Sequence, residues 1–109
     1  MTLPTEAECE DAIIKAARLA GWRVHAERTS RTGSGNYATA IKGDRGYVDL
    51  TMVRNGQLVF VELKRDKTGR MGPGQDEWID ALDAVPGVAA FVCWVPSQMP
   101  ALIAKLTER

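Results

Sequence analysis

Histidine and cysteine are scarce in this chain, with one and two copies respectively. Cys9 and Cys93 stand far apart, and no Cys-x-x-Cys or His cluster accompanies them. That excludes a disulfide framework and a zinc site of ordinary ligand spacing, and both thiols are expected as small buried hydrophobes. Long apolar runs are also missing: no stretch approaches the roughly 18 to 20 residues that a membrane span needs. The first residues carry Glu6, Glu8, Glu10 and Asp11 where a leader would place bases ahead of an apolar stretch. No membrane partner and a cytoplasmic location are therefore expected. An excess of one charge is lacking too, since Lys and Arg number 14 and Asp and Glu number 14.

What is present suits one small domain over residues 1–109, because 45% hydrophobic and 26% charged residues favour a packed core over disorder. The balanced charge is unevenly spread. Residues 1–20 hold two bases and four acids, 21–75 hold ten and five, and 76–109 hold two and five. A basic middle permits a nucleic-acid surface without demanding one, since what matters is the face that meets phosphate.

Thr5 and Glu8 form a capping-box pattern, and Cys9, Ile13, Ala16, Ala17 and Ala20 recur at helical spacing up to Gly21, predicting a helix over Glu6–Ala20. Alternation predicts a strand over Trp22–Arg28 with His25 on its wet face. Residues 29–46 read as a long polar loop, with a short strand over 37–41; loops of that length tend to be functional or mobile. Tyr47–Val53 and Leu58–Leu63 read as strands joined at Asn55-Gly56, the favoured pair of a two-residue hairpin turn. After a basic, Gly-rich link over 64–74, Trp78, Ile79 and Leu82 mark a helix that ends at Pro86-Gly87. Val88–Val95 is a strand-length apolar run, and Ser97 is expected to cap a last helix with Leu102, Ile103 and Leu106. The order is α, β, β, β, α, β, α. Trp22, Trp78 and Trp94 fall on apolar faces and are expected in the core.

A turn at Asn55-Gly56 makes cross-strand partners sum to 111, which sets Asp49 opposite Glu62. Opposed like charges destabilise a sheet, so a site that bears them needs something to offset the repulsion. Glu62 and Lys64 share a face by the period-2 rule while Val59, Val61 and Leu63 point to the core. Asp49, Glu62 and Lys64 thus converge. Two carboxylates suit a hard divalent cation such as Mg²⁺, and the ammonium beside them can orient an attacking water or balance transition-state charge. That arrangement suits hydrolysis of a phosphodiester. Glu10 flanks the buried stripe of the first helix and looks inward better than Glu8, held by the capping box, or Glu6, in the exposed first turn. Gln75 sets an amide at i−3 from Trp78 on an otherwise apolar stripe, where it needs a partner.

Gly46-Tyr47-Val48-Asp49-Leu50, then Glu62-Leu63-Lys64 beyond a hairpin, then Gln75 and Trp78 on the next helix, resemble the PD-(D/E)XK nuclease superfamily, with Gly21-Trp22 and Trp94-Val95-Pro96-Ser97 adding to the match. Within it the chain is similar to the VRR-NUC type, small phage-like nucleases often described as Holliday-junction-resolvase-like. Val48 stands where the family usually has Pro.

The resemblance implies a restriction-endonuclease-like αβββαβα core, a mixed central sheet flanked by helices. It implies Asp49, Glu62 and Glu10 as ligands of Mg²⁺ or Mn²⁺, Lys64 as the catalytic lysine and Gln75 as a helix residue touching site or substrate. The activity implied is metal-dependent DNA endonuclease, with branched DNA (Holliday junction or flap) as candidate substrate and a homodimer for symmetric cuts. Were the gene carried by a phage, the location would be the host cytoplasm. Arg65, Lys67 and Arg70 in the basic link, and Arg28, Arg31, Lys42 and Arg45 in the long loop, are candidate DNA-backbone contacts, joined by Ser30, Thr32 and Ser34 as phosphate donors. The rival reading is a nucleic-acid-binding accessory module that keeps the nuclease fold with little or no turnover.

Overall fold

The Asn55–Gly56 turn organises the sheet. Both residues take positive φ, 47° and 78°, as a type I′ hairpin turn requires. The computed structural model describes residues 2–27 and 41–108. Its elements keep the expected order: α1 (Glu6–Leu19), β1 (Arg23–Ala26), β2 (Leu50–Arg54), β3 (Gln57–Arg65), α2 (Gln75–Asp83), β4 (Val88–Val95) and α3 (Met99–Leu106). The strand expected over 37–41 falls, except for Ile41, outside the described residues.

From the turn, Arg54 pairs with Gln57, Val53 with Leu58, and so on to Leu50 with Val61, the register that the turn predicts. Among the described residues the sheet runs β1-β2-β3-β4, antiparallel except for the parallel β3–β4 pair, which α2 connects. It is mixed, as expected.

Alternation along β3 sends its two faces to different helices. Val61 and Leu63 join Leu50, Met52, Cys93 and Val95 beneath Cys9, Ile13 and Ala17 of α1 and Leu102 and Leu106 of α3. Both cysteines are buried and free, as expected. On the other face Phe60, Val48 and Ala90 form a smaller cluster against Ile79 and Leu82 of α2. The stretch of that face past Phe60 carries Glu62 and Lys64.

The capping box of α1 is in place: the Thr5 N–H donates to Glu8 Oε1 (2.8 Å) and the Glu8 N–H to Thr5 Oγ1 (3.0 Å). At the far end of the sheet, the Arg54 guanidinium donates to the carbonyls of Ala20 (3.1 Å), Leu106 (3.0 Å) and Glu108 (2.8 Å) and lies 4.6 Å over the Trp22 ring. One cation thereby satisfies the last carbonyls of both α1 and α3, where helix dipoles favour positive charge.

Three expectations need correction. The strand expected from Tyr47 begins only at Leu50, so Tyr47, Val48 and Asp49 lead into it. Ser97 does not cap α3: its N–H and hydroxyl bind Asp66 (2.9 and 2.7 Å), Gln98 is the N-cap, and Pro100 sits in the first turn. Of the tryptophans only Trp22 is in the core, at 6% exposure; Trp78 and Trp94 are half-buried, because α2 buries no residue completely and β4 ends the sheet among the described residues. No helix among the described residues is long and apolar enough to cross a membrane.

Candidate active site

Asp49 lies one step beyond the last paired residue of β2, so the hairpin register carries it to Glu62. Its Oδ2 accepts the Leu63 N–H at 2.8 Å, which pins the carboxylate at the end of the ladder. Glu62 is 2% exposed, the one buried charged side chain among the described residues. Its Oε2 takes the Lys64 ammonium at 3.2 Å and the Gln75 amide at 2.7 Å. Its Oε1 meets no hydrogen-bond donor while both acids are ionised, and the two carboxyls lie close enough that a shared proton raises Glu62 and lowers Asp49. The Gln75 Oε1 in turn accepts the Gly72 N–H, which sets the amide so that its NH₂ faces Glu62.

Electrostatically the pair is under pressure. Burial, then the charge of Asp49, push the Glu62 carboxyl up to about 7 against the pull of Lys64. Burial also raises Asp49, opposed by the Leu63 N–H and the Lys64 charge.

Gln75 is seated by a backbone contact. Gly46 and Gly74 both take positive φ (94° and 83°), and a Cβ on either would run into main chain of the other segment, Gly74 and Gln75 in one direction and Arg45 in the other. Only glycine permits that approach, and it fixes the start of α2 against the segment leading to Asp49.

The first helix contributes two acids at the margin. Glu10 is half-buried, its carboxyl raised by burial and then by Asp49. Glu6, expected in an exposed first turn, is exposed, yet burial and Asp49 raise its carboxyl while Lys64 and Arg65 oppose them. One helical turn apart, both sit near enough to Asp49 for its charge to raise them. Among the described residues no three Asp, Glu, His or Cys side chains converge as a metal cage. The structure therefore brings together Asp49, Glu62, Lys64 and Gln75, and Glu10, expected as a third metal ligand, does not complete a three-ligand group with Asp49 and Glu62.

The donor set still fits a hard divalent cation: oxygen ligands only, two carboxylates that repel each other, and a buried oxygen with a free lone pair.

Of the expected backbone contacts, Lys42, Arg45, Lys67 and Arg70 are exposed, and Arg70 folds back on the carbonyls of Lys67 (3.2 Å) and Gly69 (2.9 Å). Arg65 is half-buried and donates to the Pro4 carbonyl at 3.0 Å, so its guanidinium ties down the amino-terminal segment. Arg28, Arg31, Ser30, Thr32 and Ser34 lie outside the described residues. His25 is on the surface of β1, 3.6 Å from Glu27.

The sequence reading missed an aromatic pair beside the site. Tyr47, 41% exposed, meets Trp78 edge-on with centroids 4.9 Å apart, and its hydroxyl shares a hydrogen bond with Thr51 (3.1 Å). Trp78 donates its Nε1–H to the Asp44 carbonyl at 3.2 Å. Its placement three residues after Gln75 was the available signal, since one helix face then holds both.

No protein-family model matches the sequence, and no curated protein does. Among solved structures, one described as a VRR_NUC domain superposes with a TM-score of 0.63 over 91% of this chain and 94% of that one, at 21% identity. The two share a fold, a helix-flanked mixed sheet of the restriction-endonuclease-like kind.

Proposed function

We propose that this domain is a Mg²⁺- or Mn²⁺-dependent endodeoxyribonuclease that hydrolyses phosphodiester bonds at Asp49, Glu62 and Lys64. The observation that carries the reading is the buried Glu62, whose one oxygen is held by Lys64 and Gln75 while the other meets no donor when both acids are ionised, beside the Asp49 carboxylate. A fold in which Glu62 served only structure would gain nothing from burying it with a free lone pair next to a second acid.

Asp49 and Glu62 would hold the cation, which when bound neutralises their repulsion and polarises the scissile phosphate. Lys64 pulls Glu62 toward its ionised form against burial and Asp49, and presents positive charge where the phosphate gains negative charge. Gln75 keeps the Glu62 carboxylate in one orientation, so its free oxygen stays directed into the site. The likeness in fold to a VRR_NUC domain supports the class of reaction and leaves substrate geometry to experiment. Branched DNA is the proposed substrate. Each chain offers one site, so symmetric cuts would require two copies and the proposal includes a homodimer.

The test is cleavage of labelled four-way junction, flap, nicked duplex, plain duplex and single strand in Mg²⁺, Mn²⁺ or EDTA, with Glu62→Gln alongside. Metal-dependent cutting lost in the variant is expected. Binding of DNA with no cutting under any metal would overturn the enzyme and leave a DNA-binding accessory module.

A further inference from the structure

Trp78 opens onto a groove that phosphodiester chemistry does not use. It encloses about 830 Å³, with Ile41, Pro73, Trp78 and Ala81 as its apolar lining and Asp44, Arg45 and Glu77 as its polar groups. Ile41 is 58% exposed, so apolar surface is left facing water here. The indole is already held by the Tyr47 edge and the Asp44 carbonyl, so a flat ligand stacking on it would pay little to order it.

The groove adjoins the site through two segments. Gln75, bonded to Glu62, and Trp78 lie on one side of α2, about 4.5 Å apart along its axis. Gly74 lines the groove and rests against the main chain around Gly46, three residues before Asp49.

The geometry points to a nucleobase-binding groove: an unpaired base, from a nucleotide neighbouring the scissile phosphate, stacks on Trp78 with its hydrogen-bonding edge toward Asp44 and Glu77. A phosphate would be repelled by those carboxylates. The amino groups of cytosine, adenine or guanine are donors that carboxylates accept, and an aromatic surface takes any base by stacking. Arg45 supplies charge for that nucleotide's own phosphate. The substrate class follows, DNA with an unpaired nucleotide at the cut (single strand, flap or junction), because a base within continuous duplex must first be unpaired and unstacked. The placement next to a scissile phosphate rests on the nuclease reading; the base site itself does not.

Short single strands and flaps carrying 2-aminopurine at successive positions, titrated with protein in EDTA, test the base site, since stacking quenches this fluorophore. Quenching at one position is expected. It should be lost, with Kd weakened roughly 5- to 150-fold, in Trp78→Leu and also in Ala81→Trp, which fills the groove from an exposed position and removes no packing. Binding without quenching, quenching untouched by both variants, or no binding at all would overturn it. Cleavage in Mg²⁺ of the same strands with single abasic sites is scored separately. Cutting indifferent to every abasic site rejects the placement of that base beside the scissile phosphate and keeps the nuclease, whereas quenching without cutting keeps the groove and rejects the nuclease.

Discussion

Glu62 concentrates the competing demands of this site in one carboxyl. Because burial and Asp49 raise it to about 7, the fold favours its protonated form, and the stability this contributes is complete below its ordinary value of 4.5 and lost as pH rises through about 7. Asp49, Glu10 and Glu6 are raised as well, so their contributions have the same sign. In EDTA the melting temperature should therefore fall between about pH 5 and pH 8, and Glu62→Gln should remove much of that fall by calorimetry. A divalent cation should raise the wild-type melting temperature at pH 8 and leave Glu62→Gln nearly unmoved. A flat wild-type profile would mean that the carboxyl is not under the pressure described. Lys64→Ala should cost about 10²–10³-fold in kcat with the circular dichroism spectrum unchanged.

Among elements, the termini of α1 make the sharpest contrast. At its start, Thr5→Ala removes one half of a capping box and should cost about 1 kcal/mol in denaturant unfolding. At its end, Arg54 ties α1 to α3 through three carbonyls and stacks on Trp22, so Arg54→Ala should cost about 2–4 kcal/mol. Arg54→Lys should recover only part of that, since one ammonium cannot reproduce the planar fork. The first of these features was legible in the sequence and the second was not. Capping boxes and the Asn-Gly turn are local patterns, and the opposition of Asp49 to Glu62 follows from the turn by counting. Arg54 binds groups 34 and 52 residues away, and no short-range spacing announces that. Trp78 was expected in the core for a related reason, and the pressure of Asp49 on Glu6 had no local signal either. Helical periodicity says which residues share a face, but how α1 lies across Asp49, and how the segment around Asp44 meets α2, depend on tertiary packing.

At the scale of the whole molecule, net charge of zero conceals the surface that would meet DNA. Lys42, Arg45, Lys67 and Arg70 are exposed, and if each meets a phosphate, the plot of log K against log salt should have a slope between about −3 and −4. A slope near zero in a binding assay would exclude this surface as the footprint. Sedimentation at the concentrations of the cleavage assay would show whether the active species is a dimer.

The acid pair and the Arg54 anchor sit at opposite ends of β2 and β3, at Asp49 and Glu62 on one side and beside the Asn55–Gly56 turn on the other. In a saturation survey scoring cellular abundance and catalytic output in parallel, the two poles should respond with opposite signs. Neutral replacements at Asp49 or Glu62 would raise abundance while silencing output, and replacements at Arg54 or Trp22 would lower both. A lineage released from selection for turnover should therefore erode first at the acidic pole, growing sturdier as it loses its chemistry.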